Sequence, residues 1–204
     1  MDLNTLNEIN DLVNKYNAVL LPVVKGRKLE DIKKIYDLGF TDFGENRMEE
    51  LLNHKKIFQN ANFHFIAPLQ SRKINEIMNN CVSIHTVSRE KEAIKINKNY
   101  DNQNIFVQIN VDNDPNKSGI KPQEVYKFFN IFKNLSYFPI GIMCIPSQEN
   151  EPEISFSNMQ KINENIKKNY QNYKGELSMG MSDDYKIALD YGATIIRIGS
   201  KIFN

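Results

Sequence analysis

The sequence is poor in the features that mark nucleic-acid-binding, disulfide-bonded or membrane-spanning proteins. Its 26 basic and 25 acidic residues leave a net charge of +1 without a basic stripe, which argues against a nucleic-acid partner. The two cysteines, Cys81 and Cys144, have neither CxxC nor metal-type spacing and are expected to be free buried thiols. The amino terminus lacks a signal-peptide pattern, and no segment approaches membrane-spanning length. We therefore expect a soluble, cytoplasmic protein that binds neither nucleic acid nor membrane.

Short catalytic motifs and interdomain linkers are absent as well. No P-loop, GxSxG or GxGxxG pattern occurs, and His54, His64 and His85 lack metal-ligand spacing. His64 and His85 lie in apolar segments, where a hydrogen-bonded core histidine is the expected role. Without repeats or a Pro/Gly/Ser-rich linker, residues 1–204 are expected to form one domain, and we expect a monomer without a metal.

Two kinds of apolar segment alternate along the chain. Short runs rich in branched and aromatic residues predict buried strands, and the segments between them carry apolar residues at helical spacing. The predicted strands cover residues 18–26, 41–45, 62–67, 82–87, 104–111, 139–145, 177–180 and 194–199. Such alternation implies parallel pairing through right-handed crossovers. It favours a single (β/α)8 TIM barrel, with an open doubly wound sheet as the alternative.

The two chain ends depart from the regular alternation. Apolar residues at helical spacing between Leu3 and Tyr16 predict an extra amino-terminal helix. The sequence stops at Asn204, shortly after the eighth strand, so no helix is expected there. We expect the amino-terminal helix to cover that part of the barrel instead.

Lys25 ends the apolar stretch AVLLPVVKG. At the carboxyl end of a buried strand it would face a binding crevice, where desolvation disfavours the ammonium form and leaves more free amine to attack a carbonyl. The alternative is a lysine that extends from the strand end into water.

The sequence SMGMSDD, residues 178–184, follows the seventh strand, where TIM barrels commonly bind phosphate. Gly180 would let the backbone approach a ligand, and Ser182 would cap the following helix with its N–H groups directed at an anion. Asp183 and Asp184 would then have to point away. The alternative is an ordinary serine cap followed by acidic residues in the first turn.

Arg197 interrupts the apolar eighth strand between Ile196 and Ile198. Alternation places it on the opposite face from those isoleucines, in the barrel interior, where a guanidinium needs an acceptor or an anion. The alternative is an ion pair with a carboxylate such as Glu45. Gly199 and Ser200 would add a second Gly/Ser loop around one anion. A phosphorylated carbonyl compound that condenses with Lys25 would use all of these groups.

Several motifs follow one another over nearly the whole chain. They are the apolar strand ending in Lys25, Gly44-Glu45-Asn46, His64-Phe65-Ile66 with Pro68-Leu69-Gln70, Lys117-Ser118-Gly119, MGMSDD at 179–184 and RIGSKIF at 197–203. In this order they resemble the pyridoxal phosphate (PLP) homeostasis proteins, whose barrel is similar to the alanine racemase N-terminal domain.

The resemblance implies a role for each matched residue. PLP would be held as a Schiff base on Lys25, with Asn46 close to that lysine and the cofactor. Arg197 matches the arginine that faces the pyridine nitrogen. The positions that match phosphate-holding residues are Met181, Ser182, Gly199 and Ser200.

Some positions depart from the family pattern. Val24 and Gly26 stand where serine and threonine are usual around the lysine, Ala67 replaces a glycine, and Arg72 replaces an asparagine. None of these changes removes a matched group.

The resemblance implies a non-catalytic PLP carrier that regulates vitamin B6 and amino-acid pools, with PLP-dependent apo-enzymes as partners. An arginine beside the pyridine nitrogen should disfavour its protonation and weaken the ring as an electron sink. We also expect no second domain after the last strand to bring a catalytic base. The alternatives are a PLP-dependent amino-acid racemase or related PLP enzyme, and a Schiff-base aldolase for a sugar phosphate.

Overall fold

The computed structural model describes residues 2–203, in which strands and helices alternate. The strands are β1 Val19–Pro22, β2 Asp42–Glu45, β3 Asn62–Phe65, β4 Ser83–Val87, β5 Asn104–Gln108, β6 Gly141–Met143, β7 Glu176–Ser178 and β8 Ile195–Ile198. The α-helices are α1 Leu3–Lys15, α2 Leu29–Asp37, α3 Met48–Ile57, α4 Ile74–Asn80, α5 Glu90–Asn97, α6 Val125–Phe129, α7 Pro152–Asn169, α8 Tyr185–Asp190 and α9 Ser200–Phe203. Short 3-10 helices lie at Ser71–Lys73, Pro122–Glu124 and Asn130–Asn134. None of the helices in residues 2–203 is both long and apolar enough to cross a membrane.

The strands form one parallel sheet in the order β1-β8-β7-β6-β5-β4-β3-β2. Its two end strands meet through a parallel bridge between Val23 and Gly44, and the Val24 N–H donates to the Gly44 carbonyl at 3.1 Å. The sheet therefore curls into a nearly closed barrel, which confirms the predicted TIM barrel. The open doubly wound sheet is excluded, because its strand order would reverse direction within the sheet.

Apolar side chains occupy two separate layers. Ile84, Ile196 and other outward-facing strand residues are fully buried in the layer between strands and helices. Leu21, Phe106 and Met143 are also buried but do not belong to that layer, since they fill the barrel interior. Alternation along each strand sends neighbouring side chains to opposite layers. This alternation decides which polar side chains enter the barrel.

The helices at the two ends of the chain pack side by side. Asp2 caps α1, and its backbone N–H donates to the Ile202 carbonyl of α9 at 2.9 Å. The prediction that no helix follows the last strand is wrong. Ser200–Phe203 form one helical turn, because two N–H groups of that turn donate to the Gly199 carbonyl. α1 therefore lies beside a terminal helix and does not replace it.

Candidate functional site

The residues singled out in the sequence lie at one rim of the barrel. Because the strands are parallel, their carboxyl ends meet on the same face. Lys25 follows β1, Asn46 directly follows β2, and Ser182 and Ser200 lie in the segments after β7 and β8. The fold thus brings side chains from the amino-terminal and carboxyl-terminal parts of the chain together at one rim of the barrel.

Arg197 lies inside the barrel, one residue from the carboxyl end of β8. It is 4% exposed, whereas Ile196 and Ile198 belong to the layer between strands and helices. Its guanidinium donates to the Ser178 hydroxyl and to the Cys144 carbonyl, both at 2.8 Å. These partners end β7 and follow β6, so they hold the guanidinium near the rim. The predicted interior position is confirmed.

The alternative of an ion pair between Arg197 and Glu45 is wrong. Glu45 is fully buried and accepts hydrogen bonds from His54 Nδ1 at 2.8 Å and from the Asn46 N–H at 3.1 Å. Among the described residues, no carboxylate lies within ion-pair distance of Arg197. Burial lowers the pKa of its guanidinium, and the Cys144 thiol and Asp184 carboxyl oppose that effect. Among residues 2–203, the acceptors that hold the buried Arg197 cation are therefore neutral.

Within residues 2–203, two buried oxygen atoms at the rim have no hydrogen-bond partner. They are Asn46 Oδ1 and the Oε1 of Gln108, the last residue of β5. Gln108 Nε2 donates to the Ser118 carbonyl at 3.0 Å. An open groove of about 660 Å³ lies alongside, lined in part by Asn46, Ser118 and Gly119. An unpaired buried acceptor is costly, so both amides suit a ligand with hydrogen-bond donors.

Gln108 was not among the predicted site residues. The signal that it offers is a polar side chain at an inward position of an otherwise apolar strand, two residues after Phe106. Arg197 shows the same signal on β8 and was found by it.

The two Gly/Ser loops are in contact, as predicted. The Ser200 hydroxyl donates to Ser182 Oγ at 2.9 Å, and the Lys201 N–H donates to the same oxygen at 3.3 Å. Gly199 permits the close approach of the segments that directly follow β8 and β1, since a Cβ there would lie 3.2 Å from the Val23 carbonyl oxygen. The result is a cluster of hydroxyl and backbone donors suited to an anion.

The loop after β7 departs from the prediction. α8 begins at Tyr185 and Ser182 lies in the turn before it, so Ser182 does not cap that helix. Asp184 turns back and accepts the Met181 N–H at 2.6 Å, which satisfies that amide within the loop. Gly180 has φ +94°, and a Cβ there would lie 2.7 Å from Ala188 Cβ. Its missing side chain therefore makes room for α8 and not for a ligand.

Lys25 lies beyond the end of β1, in the turn that leads to α2. Its side chain is exposed, which matches the alternative of a lysine that extends into water and not the expected desolvated lysine, because β1 ends at Pro22, before the lysine is reached. Gly26, with φ +62°, shapes the turn, and its N–H donates to Glu50 Oε2 at 2.7 Å. Within the described residues no hydrogen bond or ion pair holds the Lys25 amine. It is accessible to a carbonyl compound from solvent.

The candidate metal-ligating and thiol side chains of residues 2–203 are either dispersed or buried. No group of His, Cys, Asp and Glu side chains there suits a metal ion. Cys81 and Cys144 are free and buried, as predicted. Burial raises the pKa of each thiol to about 12, so neither is a nucleophile at neutral pH.

Comparison with known proteins finds relatives over nearly the whole chain. The family model of the alanine racemase N-terminal domain matches residues 4–204. The pyridoxal phosphate homeostasis protein of Schizosaccharomyces pombe is 31% identical, and the match covers 97% of this chain and 88% of that protein. The pyridoxal phosphate homeostasis protein of Pasteurella multocida is 34% identical, and the match covers 90% of this chain and 84% of that protein. PipY of Synechococcus elongatus, solved without PLP and with PLP bound, has TM-scores of 0.90 and 0.88 at 23% identity, covering 98% of this chain and 99% of PipY. The likeness to PipY concerns the fold.

Proposed function

We propose that this chain binds PLP at the carboxyl rim of its barrel. The proposal starts from its family: the chain belongs to the pyridoxal phosphate homeostasis proteins and to the alanine racemase N-terminal domain family. Bound PLP supplies an aldehyde that reacts reversibly with amines. We assign the covalent bond to the Lys25 amine, which is exposed and unpaired within the described residues. The role is to hold a reserve of PLP and so to take part in vitamin B6 and amino-acid homeostasis.

The observation that carries this proposal is the buried guanidinium of Arg197, which has no carboxylate partner in the described residues. A buried charge that lacks a counter-ion is costly unless a ligand supplies an acceptor. The pyridine nitrogen of PLP is such an acceptor. Within the described part of the chain the guanidinium donates to Ser178 and Cys144 only, and its other N–H groups are available to the ligand.

The two Gly/Ser loops at the rim fit the phosphate of the cofactor. The hydroxyls of Ser182 and Ser200 and the N–H of Lys201 provide donors for a phosphate. The Met181 N–H already donates to Asp184, so it can serve a phosphate only if that carboxylate turns away. We assign the phosphate to the two serines and the segment that starts at Gly199.

We further infer a carrier and not an enzyme. A guanidinium that donates to the ring nitrogen opposes its protonation, which makes the ring a weak electron sink and racemisation slow. Exposure of Lys25 lets PLP exchange with solvent, from which PLP-dependent apo-enzymes can take it. The match to an alanine racemase domain keeps a racemase as the second candidate.

The test is an absorbance titration of the purified chain with PLP. We compare the wild type with Lys25→Ala and with the control Lys28→Ala, which removes an exposed lysine close by in the chain. A visible band in the wild type and the control, lost in Lys25→Ala, is expected. A band that survives in Lys25→Ala overturns the assignment.

Incubation of the same samples with L-alanine separates the two candidates. We expect no D-alanine, and measurable turnover that Lys25→Ala abolishes would establish a racemase. A chain that binds no PLP but cleaves a sugar phosphate through Lys25 would be an aldolase.

A further inference from the structure

A continuous chain of hydrogen bonds crosses the barrel interior behind Arg197. Asp42 Oδ1 lies 3.1 Å from His64 Nε2, and His64 Nδ1 lies 3.1 Å from His85 Nε2. His85 Nδ1 lies 2.9 Å from Ser178 Oγ, which accepts from Arg197 at 2.8 Å. The five side chains come from β2, β3, β4, β7 and β8. Asp42 is partly exposed, whereas His85 and Ser178 are fully buried.

Arg197 and Asp42, the residues at the two ends of this hydrogen-bond chain, determine which nitrogen of each histidine carries a proton. Arg197 can only donate, so Ser178 Oγ accepts from it and the serine proton points to His85 Nδ1. The Asp42 carboxylate can only accept, and its hydrogen bond with His64 lowers the pKa of Asp42. His64 therefore carries its proton on Nε2 and accepts at Nδ1. His85 must then donate from Nε2, so both histidines are neutral Nε2–H tautomers.

The opposite direction requires an additional proton. If His85 Nδ1 donated to Ser178, the serine proton would lack an acceptor among the contacts of the described residues. His64 would donate from Nδ1 and would need a second proton to keep its bond with Asp42. Burial lowers the pKa of His85 well below its usual value, so His85 is neutral in either direction. Only the arrangement with two neutral Nε2–H histidines gives every polar atom of this hydrogen-bond chain a partner.

We propose that Asp42, His64, His85 and Ser178 are positioning residues that fix the guanidinium of Arg197 in the orientation in which it meets the ligand. The inference rests on the proposed function, in which Arg197 donates to the ring nitrogen of PLP. A serine hydroxyl alone is free to rotate. Here the His85 tautomer directs the serine proton away from Arg197, and the serine lone pair stays aimed at the guanidinium.

Packing holds the central imidazole of this chain in place. Phe106 stacks on His85 with ring centroids 4.4 Å apart and an interplanar angle of 24°. The imidazole is thus fixed in its plane as well as in its tautomer. Buried hydrogen bonds in series also polarise one another, which strengthens the last bond to Arg197.

Ser178→Ala interrupts the chain with a small change in volume. Its matched control is Ser83→Ala, because Ser83 is fully buried in β4 but donates to the Asn104 carbonyl, outside the chain. Both substitutions remove one buried hydroxyl from a central strand. Only the first removes a partner of Arg197.

The first measurement uses the full chain without PLP. Nitrogen NMR of the histidine rings should find His64 and His85 as Nε2–H tautomers, and His54 with a proton on Nδ1, which faces the Glu45 carboxylate. The Arg197 guanidinium should rotate slowly in the wild type and in Ser83→Ala, and faster in Ser178→Ala. A proton on His85 Nδ1 in the wild type, or unchanged rotation in Ser178→Ala, overturns the proposal.

The second measurement is the affinity for PLP. Ser178→Ala should weaken binding by about fivefold to tenfold, the equivalent of one hydrogen bond, and Ser83→Ala should not change it. Unchanged affinity in Ser178→Ala overturns the positioning role. If the wild type binds no PLP, the proposed function fails, while the tautomers and the rotation of Arg197 still decide whether the chain holds the guanidinium.

Discussion

The hydroxyl oxygens of Ser182 and Ser200 lie 2.9 Å apart, although 18 positions separate the two residues. They meet because β7 and β8 are adjacent parallel strands, so the segments that follow them leave the barrel at the same rim. The Lys201 N–H joins them at the same oxygen. This small cluster of donors is where we place the phosphate of PLP.

Ser182→Ala and Ser200→Ala should each weaken PLP binding by about tenfold, because each removes a hydrogen bond to a charged group. Pyridoxal, which lacks the phosphate, is the control ligand, and its affinity should be unchanged. Fluorescence or absorbance titration with both ligands measures the difference. An equal loss for both ligands would place the phosphate elsewhere.

Arg197→Met should separate stability from binding. Replacing a buried unpaired charge by an apolar side chain of similar length removes a desolvation cost, which offsets the loss of two hydrogen bonds. The free energy of unfolding should stay within about 2 kcal/mol of the wild type, while PLP affinity falls by about tenfold or more. Urea unfolding and PLP titration of the same preparation measure both. Retained affinity would remove Arg197 from the site.

Stability should fall as the solution is acidified. The pKa of His85 in the folded chain is lowered well below the usual 6.5. Below pH 6.5 the His85 side chain therefore binds a proton in the unfolded chain but stays neutral in the folded chain. The free energy of unfolding should therefore drop, starting near pH 6.5, by about 1.4 kcal/mol per pH unit from this group. Urea unfolding between about pH 7 and pH 5 measures the slope. His85→Gln should reduce it, and an unchanged slope would show that His85 is not the group concerned.

Gly141→Ala should destabilise the barrel far more than Gly192→Ala. A Cβ on Gly141 would overlap with the Glu176 carbonyl oxygen of β7 and would lie 2.7 Å from Phe106 Cε1. Strands β6 and β7 would therefore have to move apart. A Cβ on Gly192 meets nothing within 4 Å and suffers only from its φ of +85°. We expect losses of about 3 kcal/mol or more and about 1 kcal/mol, respectively, in urea unfolding. Similar losses would mean that Gly141 can shift without cost.

The parts of the fold that follow from local patterns were predictable. Alternation in β8 put Arg197 inside the barrel, because period-two patterning needs only neighbouring residues. The same reasoning gave the eight strands and the rim at their carboxyl ends. The terminal helix was missed because one turn held by the Gly199 carbonyl leaves no periodic signal.

The contacts that complete the site depend on packing between distant segments. Ser178 and His85 are 93 positions apart, and no sequence spacing indicates that they meet across the barrel. Asp184 accepts the Met181 N–H, and the sequence alone does not decide which side chain of this loop turns back. The exposure of Lys25 depends on where β1 ends, and strand ends are the least regular part of a pattern.

Lys25 is the residue to which we assign the covalent bond with PLP. Borohydride reduction of the PLP-loaded chain, followed by peptide mass spectrometry to locate the reduced pyridoxyl group, tests this assignment. We expect one adduct, on Lys25, with Lys28 unmodified and no adduct in Lys25→Ala. An adduct on another lysine, or equal labelling of several exposed lysines, would contradict it.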